Sequence, residues 1–201
     1  MLNQGIEKGR LVPSTQVFLD SPMAISATEI FRRYPECLGP EAARSFREGR
    51  DPFQLPGLHF VRERTESMAL NNIRGGAVVM AGSGMATGGR IRHHLKHNLW
   101  RADCSVIFVG FAARATLARQ IIDGQSPVHI LGEDIPVRAK IHTINGFSAH
   151  ADQAELLAWH AQAGAARTFL THGEEQTMQQ FADRLVGTQV EMPKLHQTFE
   201  L

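Results

Sequence analysis

Short apolar runs alternate with helix-like patterns along most of the chain. The runs are TQVFLD, LHFVRE, GAVVMA, CSVIFVG, PVHIL, IPVRAKIHTI and ARTFLTH, with a last short one near Gln189–Met192. Apolar runs of this length, bounded by turn residues, are typical of buried strands. Helical patterns separate most of them, and repeated strand–helix–strand order predicts an α/β fold with a mostly parallel sheet flanked by helices.

Capping residues mark several helix starts. Ser21 can accept from the free amides of a first turn, and Pro22 needs no donor at the first helical position. Asp152 with Glu155 has the spacing of a capping box, which predicts an amphipathic helix. The other predicted helices are LGPEAARSFREG, TESMALNNI, Arg90–Leu99, Thr116–Asp123 and Glu174–Val186.

A pair of strands interrupts this rhythm near the middle of the chain. PVHIL and IPVRAKIHTI are predicted to be two strands joined by the turn GED. Because no helix separates them, they break the strand–helix order that unites the preceding segments. We therefore expect a change of structural unit around Ile135–Ile144.

Composition and charge exclude several classes of protein. The 201 residues carry 21 Lys+Arg against 20 Asp+Glu, so the net charge of +1 gives no global nucleic-acid signature and any polyanion site must be local. Two cysteines without CxxC spacing argue against a disulfide framework. No apolar run reaches membrane-span length and the first ten residues do not resemble a signal peptide, so we expect a cytoplasmic protein without a membrane partner.

A glycine-rich turn, AGSGMATGGR, lies between a predicted strand and a predicted helix. Backbone amides in such a turn form an anion site together with the helix N-terminus. A tight turn that simply needs glycine is the alternative. The turn lacks the Gly-Lys-Ser/Thr of a P-loop, and the acidic residue of a dinucleotide fingerprint is missing, which disfavours a nucleotide-binding oxidoreductase.

The helix RIRHHLKHNLWR after this turn is rich in cations. Its side chains could track phosphates, but a solvated face with cations near the helix C-terminus is the favoured interpretation. Arg90, which adjoins the turn, is the exception. The three histidines do not converge as a metal site would, since only His93 and His97 share a face.

Two histidines follow predicted strands, and 22 positions separate them: His150, after the strand that ends near Ile144, and His172, at the end of RTFLT. One helix and one strand lie between them, which is the content of a βαβ unit. If the two strands are parallel neighbours, both histidines lie at the same sheet edge and can converge. An exposed loop histidine and a hydrogen-bonded sheet-end histidine are the alternative interpretation.

Five segments in this order resemble the β-CASP branch of the metallo-β-lactamase superfamily, which comprises zinc-dependent RNA-cleaving enzymes. The segments are FLDSPMAI, VVMAGSGMATGGRIRHHL, IFVGF…TLARQI, FSAHAD and THGE. The resemblance implies that His150 is a general acid or transition-state stabiliser and that His172 is a ligand in a two-zinc site. It also implies that the glycine-rich turn and Ser148 line the family's RNA cleft, giving the candidate phosphate contacts Ser83, Gly84, Gly88, Gly89, Arg90 and Ser148.

The family's main metal motif, His-x-His-x-Asp-His, is absent from the sequence. We therefore expect 1–136 to be the C-terminal portion of a β-CASP domain and 137–201 the C-terminal segment of a metallo-β-lactamase domain. The expected function is that of part of a zinc-dependent ribonuclease, with the chain alone holding no two-zinc site and cleaving no RNA. A non-catalytic RNA-binding or dimerisation module is the alternative, and an exposed sheet edge would favour a homodimer. Ala115 stands where relatives usually carry glycine.

Overall fold

A computed structural model describes residues 2–147 and 150–200. These residues form two compact units, divided between Gly146 and Phe147. The first unit contains helices α1 (Leu2–Glu7), α2 (Pro22–Arg33), α3 (Pro40–Arg47), α4 (Arg64–Ala69), α5 (Ile91–Asn98) and α6 (Leu117–Ile122). Its strands are β1 (Gln16–Leu19), β2 (Leu58–Phe60), β3 (Ala77–Met80), β4 (Ser105–Val109), β5 (Val128–Ile130), β6 (Glu133–Ile135) and β7 (Lys140–Ile144). The second unit contains α7 (Gln153–Ala163), β8 (Arg167–Phe169), α8 (Glu175–Ala182) and β9 (Gln189–Glu191).

Parallel pairing dominates the first unit, as the strand–helix order predicts. β1 lies between β2 and β3, with Val17 opposite both Leu58 and Val78. β4 pairs in parallel with β7, and β5 forms an antiparallel hairpin with β6. The prediction of an α/β fold with mostly parallel strands flanked by helices is confirmed.

The main core of the first unit gathers side chains from its later elements. Leu95 of α5, Phe108 of β4, Ile121 of α6 and Ile130 of β5 are all buried in one cluster. Removing aliphatic and aromatic surface from water stabilises a fold by about 25 cal/mol per Å². This cluster therefore packs α5 and α6 against β4 and β5.

The strand prediction for IPVRAKIHTI is wrong in its extent. The segment is divided into β6 and β7, because Pro136 follows β6 and cannot donate a ladder hydrogen bond. The predicted turn GED is also wrong, since the hairpin loop is Leu131–Gly132 with φ of 50° and 83°. Two successive residues at positive φ match the twist of a two-residue hairpin, and they leave the acidic residues inside β6.

The second unit is a small βαβ arrangement preceded by a helix. β8 and β9 pair in parallel with Arg167 opposite Gln189, and α8 connects them. α7 begins as predicted, with Asp152 as N-cap and a complete capping box with Glu155. The prediction that α7 is amphipathic is wrong: its apolar residues do not form one buried face, and Trp159 is 69% exposed. Helix α8 ends at Ala182, four residues before the predicted end at Val186.

Candidate functional site

The glycine-rich turn connects β3 to α5 and is closed at its base by its own backbone. Ile91 N donates to Gly82 O at 3.3 Å. Gly89 has φ of 76°, and a Cβ there would lie 2.6 Å from Gly82 O, so the close approach requires glycine. Gly88 has no such constraint, since a Cβ there would meet nothing within 4 Å.

The outer part of this turn presents backbone to solvent. Ser83 and Gly84 are exposed and Gly88 is half-buried. In the part of the chain that the structure describes, the N–H groups of these three residues donate to no other backbone group. Unpaired amides that precede a helix N-terminus are the arrangement that binds anions.

Arg90, expected to contact phosphate, is held by the protein itself. One terminal nitrogen donates to Asp20 Oδ1 at 2.5 Å and to Val61 O at 3.0 Å, and the other donates to Arg62 O at 2.6 Å. These bonds use three of the five N–H donors of the guanidinium. The side chain is 22% exposed, so only a small part of it faces solvent.

Asp20 is a functional candidate that the sequence did not reveal. Its carboxylate is fully buried at the end of β1 and also accepts from Ser67 Oγ and from His94 Nε2, each at 2.6 Å. Burial opposes ionisation, but the bonds from Ser67, His94 and Arg90 outweigh it, so the pKa of Asp20 lies below its ordinary value. The available signal was the i, i+4 spacing of Arg90 and His94, but their partner lies 70 or more positions away.

The interpretation of the cationic helix as a solvated face holds for only part of it. His93 and His97 are exposed, but His94 is 8% exposed and bonded to Asp20. The guanidinium of Arg101 is also held by hydrogen bonds, since it donates to the carbonyl oxygens of Ile73 and Arg74. The solvated-face interpretation is therefore wrong for His94 and Arg101, whose side chains form hydrogen bonds with Asp20 and with the segment before β3.

His150 and His172 lie together in the second unit. Their ring centroids are 6.5 Å apart and the rings are tilted by 36°. Both residues are exposed, and His172 has φ of 64°, which turns the chain sharply before α8. Ser148, the remaining predicted RNA contact, lies outside the described residues.

Within the second unit, the geometry of α7 and β8 brings the two imidazoles together. β8 pairs with β9 in this unit, and β7 pairs with β4 in the first unit. The eleven residues of α7 span about 16 Å, and the extended residues 167–171 return about the same distance. His160 Nε2 lies 2.8 Å from Thr168 Oγ1 and joins the helix to the strand. Hence the start of α7 and the end of β8 come to the same place.

These side chains do not make a complete metal site. Within residues 2–147 and 150–200, no three His, Cys, Asp or Glu side chains cluster as metal ligands do. A catalytic zinc takes three protein ligands and a water, so the two imidazoles are too few. The described residues fit the role of supplying one ligand to a zinc site that other residues complete. They do not form a whole zinc centre by themselves.

A Beta-Casp domain family model matches residues 1–121, which is more than half of the chain. The chain belongs to the β-CASP family. A second family model, described as a Zn-dependent metallo-hydrolase RNA specificity domain, matches residues 134–193. This family of metallo-β-lactamase-fold nucleases uses metal, and the resemblance inferred from the sequence motifs is confirmed.

Curated relatives match most of this chain but are much longer. Ribonuclease TTHA0252 of Thermus thermophilus is 42% identical over 170 residues, which cover 85% of this chain and 39% of the relative. Transcription termination factor FttA of Methanocaldococcus jannaschii is 31% identical over 204 residues, covering 96% of this chain and 32% of the relative. The β-CASP chain therefore spans less than two fifths of the length of either protein.

Ala115 stands at a position where the resemblance of the motifs leads us to expect glycine. Ala115 has φ of 61°, in the left-handed region that glycine adopts without strain. The turn keeps the geometry that glycine favours and carries a methyl group. It leads directly into Thr116, whose hydroxyl accepts from Arg119 N and caps α6.

In the part of the chain that the structure describes, no helix is long and apolar enough to span a membrane.

Proposed function

We propose that this chain is part of a zinc-dependent ribonuclease that hydrolyses RNA phosphodiester bonds in RNA processing or decay. The 6.5 Å approach of His150 to His172 carries the proposal, because it brings two imidazoles together on a β-CASP chain. A relative named as a ribonuclease and a segment matching an RNA specificity domain support the same substrate.

Each imidazole has a separate proposed role. His172, in the turn after β8, supplies one zinc ligand, and the remaining ligands of a two-zinc site come from outside the described residues. His150, which precedes the capped start of α7, donates a proton to the leaving oxygen of the cleaved bond. Zinc, when bound, supplies Lewis-acid polarisation of the phosphate and an activated water.

The glycine-rich turn is proposed to hold an RNA phosphate with the backbone N–H groups around Ser83, Gly84, Gly88 and Gly89. Ser148 is proposed as a further phosphate contact. Backbone contacts of this kind position a nucleic acid and carry no base information, so we expect weak sequence preference. A cytoplasmic location and a homodimer also remain predictions.

His150→Ala in the complete gene product tests the catalytic role. General acid catalysis contributes about 10²- to 10⁴-fold, so we expect RNA cleavage to fall by at least about 100-fold while zinc content stays unchanged. Cleavage is followed with a labelled RNA and zinc by elemental analysis. His196→Ala, at another exposed histidine of the second unit, is the matched control and should leave both quantities unchanged. Near-normal cleavage by His150→Ala would contradict the role of proton donor.

A charge reversal in the turn tests the phosphate contact. Gly88→Asp adds a carboxylate where a side chain meets nothing within 4 Å, so the chain should fold normally and repel phosphate. We expect binding of single-stranded RNA to weaken by about tenfold, as one added like charge at close range would cause. Gly75→Asp adds the same charge at another unobstructed glycine and should bind as the unmodified chain does. Equal affinities for the two variants would exclude the turn as the phosphate site.

The alternative, a non-catalytic RNA-binding or dimerisation module, makes a different prediction for the same assays. Both forms of the alternative require that the complete gene product cleaves no RNA in the presence of zinc, and the RNA-binding form also requires RNA binding that depends on Gly88. Zinc-dependent cleavage excludes it.

A further inference from the structure

A buried carboxylate lies directly behind the glycine-rich turn and connects it to the sheet. Asp20 directly follows β1, the central strand of the β2–β1–β3 sheet, at the carboxyl edge where parallel α/β folds bind ligands. Its backbone N–H donates to Met80 O at 2.8 Å, at the end of β3 and the start of the turn. Its side chain binds Arg90 at the other end of the turn. Asp20 therefore contacts both ends of the segment that would cradle a phosphate.

The contacts of Arg90 extend this arrangement to the neighbouring strand. Its guanidinium spans from Asp20 Oδ1 to the carbonyl oxygens of Val61 and Arg62, which follow β2. One turn further along α5, His94 donates to the other oxygen of the same carboxylate. The first turn of α5 is thereby fixed in both rotation and position relative to the sheet.

Stability alone gives little reason for this arrangement. Removing a carboxylate and a guanidinium from water costs free energy that their attraction repays only with ideal geometry, and apolar replacements are often as stable. A carboxylate that is 0% exposed and bonded to three segments does, however, specify one geometry for them. Because Asp20 contacts both ends of the glycine-rich turn, the geometry that it specifies is the position of this turn relative to the sheet.

We propose that Asp20 is a positioning residue for the phosphate-binding turn, acting through Arg90 and His94 to aim the backbone N–H groups of Ser83, Gly84 and Gly88 at an RNA phosphate. The proposal rests on the proposed function of the turn and deepens it. It also assigns Arg90 to holding the turn in place, instead of the direct phosphate contact expected from the sequence.

The first experiment compares two variants that each weaken the bonding of the same carboxylate. Asp20→Asn places an amide against Arg90 and His94, whereas Ser67→Ala removes a donor from α4 and leaves Arg90 and His94 bonded to the carboxylate. Binding of a fluorescein-labelled, unstructured ten-nucleotide RNA to the 201-residue chain is measured by anisotropy at fixed salt, below the unfolding transition of every variant. We expect affinity to fall about fivefold for Asp20→Asn, equivalent to the loss of one net hydrogen bond, and to be unchanged for Ser67→Ala.

A double-mutant comparison separates positioning from general destabilisation. If Asp20 acts through the turn, Asp20→Asn should cause no further loss of affinity in a chain that already carries Gly88→Asp. Equal losses from Asp20→Asn with and without Gly88→Asp would overturn the proposal. An effect of Ser67→Ala as large as that of Asp20→Asn would overturn it too, since general loosening would then suffice.

The outcomes also distinguish this inference from the proposed function. If Gly88→Asp binds RNA normally, the turn is not the phosphate site and both proposals fail. If Gly88→Asp weakens binding but Asp20→Asn does not, only the positioning role fails. Should Asp20→Asn not fold, Arg90→Lys replaces it, because lysine keeps the charge but cannot span the three acceptors. Weaker RNA binding by Arg90→Lys supports positioning, and normal binding overturns it.

Discussion

A single side chain, Asp20, receives hydrogen bonds from three separate segments of the first unit. Ser67 belongs to α4, Arg90 ends the glycine-rich turn and His94 lies in α5. Replacing any one of these residues leaves a buried polar group without a hydrogen-bond partner. The resulting loss of stability is larger than that caused by removing an exposed ion pair. At the residue scale, substitution of this carboxylate is therefore expected to destabilise the first unit.

The contribution of Asp20 to the free energy of unfolding depends on pH. Because the pKa of the carboxyl is lowered by folding, its contribution is fully present above the unfolded pKa of about 4 and is lost as pH falls through the folded value. At neutral pH we expect Asp20→Asn to lower the free energy of unfolding by about 3 kcal/mol. The difference between the two proteins should shrink as pH falls from about 5 to 2. Urea unfolding across this range measures both quantities.

Ser67→Ala is the control for this pH series, because it destabilises the same cluster but keeps the titrating carboxyl. The free energy of unfolding of Ser67→Ala should therefore decrease more steeply as pH falls than that of Asp20→Asn. A constant difference in unfolding free energy between the unmodified chain and Asp20→Asn from pH 7 to pH 2 would contradict the assigned pKa shift.

Local signals predict elements well where the determining chemistry is close in sequence. Ser21 and Pro22 start α2, and Asp152 with Glu155 starts α7, because both signals act within one helical turn. The start of β6 differs from the prediction because the hairpin loop has Leu131 at positive φ, which few non-glycine residues adopt. The burial of His94 was missed for a related reason, since its partner is distant in the chain.

At the element scale, the capping box of α7 is expected to stabilise the segment that carries His150. Asp152 Oδ1 accepts from Glu155 N at 2.9 Å, and Glu155 Oε2 accepts from Asp152 N at 2.9 Å. Asp152→Ala should lower the local stability of α7 by about 1 kcal/mol. Amide hydrogen exchange in the first turn of α7 should therefore accelerate about fivefold. Glu155→Gln keeps an acceptor suited to the capping box and should show little acceleration. Equal exchange rates in Asp152→Ala and the unmodified chain would show that the cap does not hold this turn.

For the molecule as a whole, the contacts divide the chain after Gly146, whereas the two family models leave a gap between residues 121 and 134. β7 lies beyond this gap but pairs with β4, so strand pairing carries the first unit past the point where the first family model ends. The family was predictable from the sequence because its motifs are local segments in fixed order. The meeting of His150 and His172 within the second unit depends on the return of β8 along α7, which the spacing of the two histidines does not specify.

Zinc binding is the property that most clearly depends on more than the described residues. In those residues, the His150–His172 pair offers two imidazoles and no third ligand, while a catalytic zinc takes three protein ligands. We therefore expect the purified 201-residue chain, dialysed against zinc-free buffer, to retain well under one zinc per chain and to cleave no RNA. In the complete gene product, His172→Ala should lower both zinc content and cleavage, whereas His150→Ala should lower cleavage alone. Elemental analysis and a labelled-RNA assay on the same preparations measure the two quantities. Stoichiometric zinc with nuclease activity from the 201-residue chain would show that the metal ligands lie within it, and His172→Ala in that chain would then reveal whether His172 is one of them.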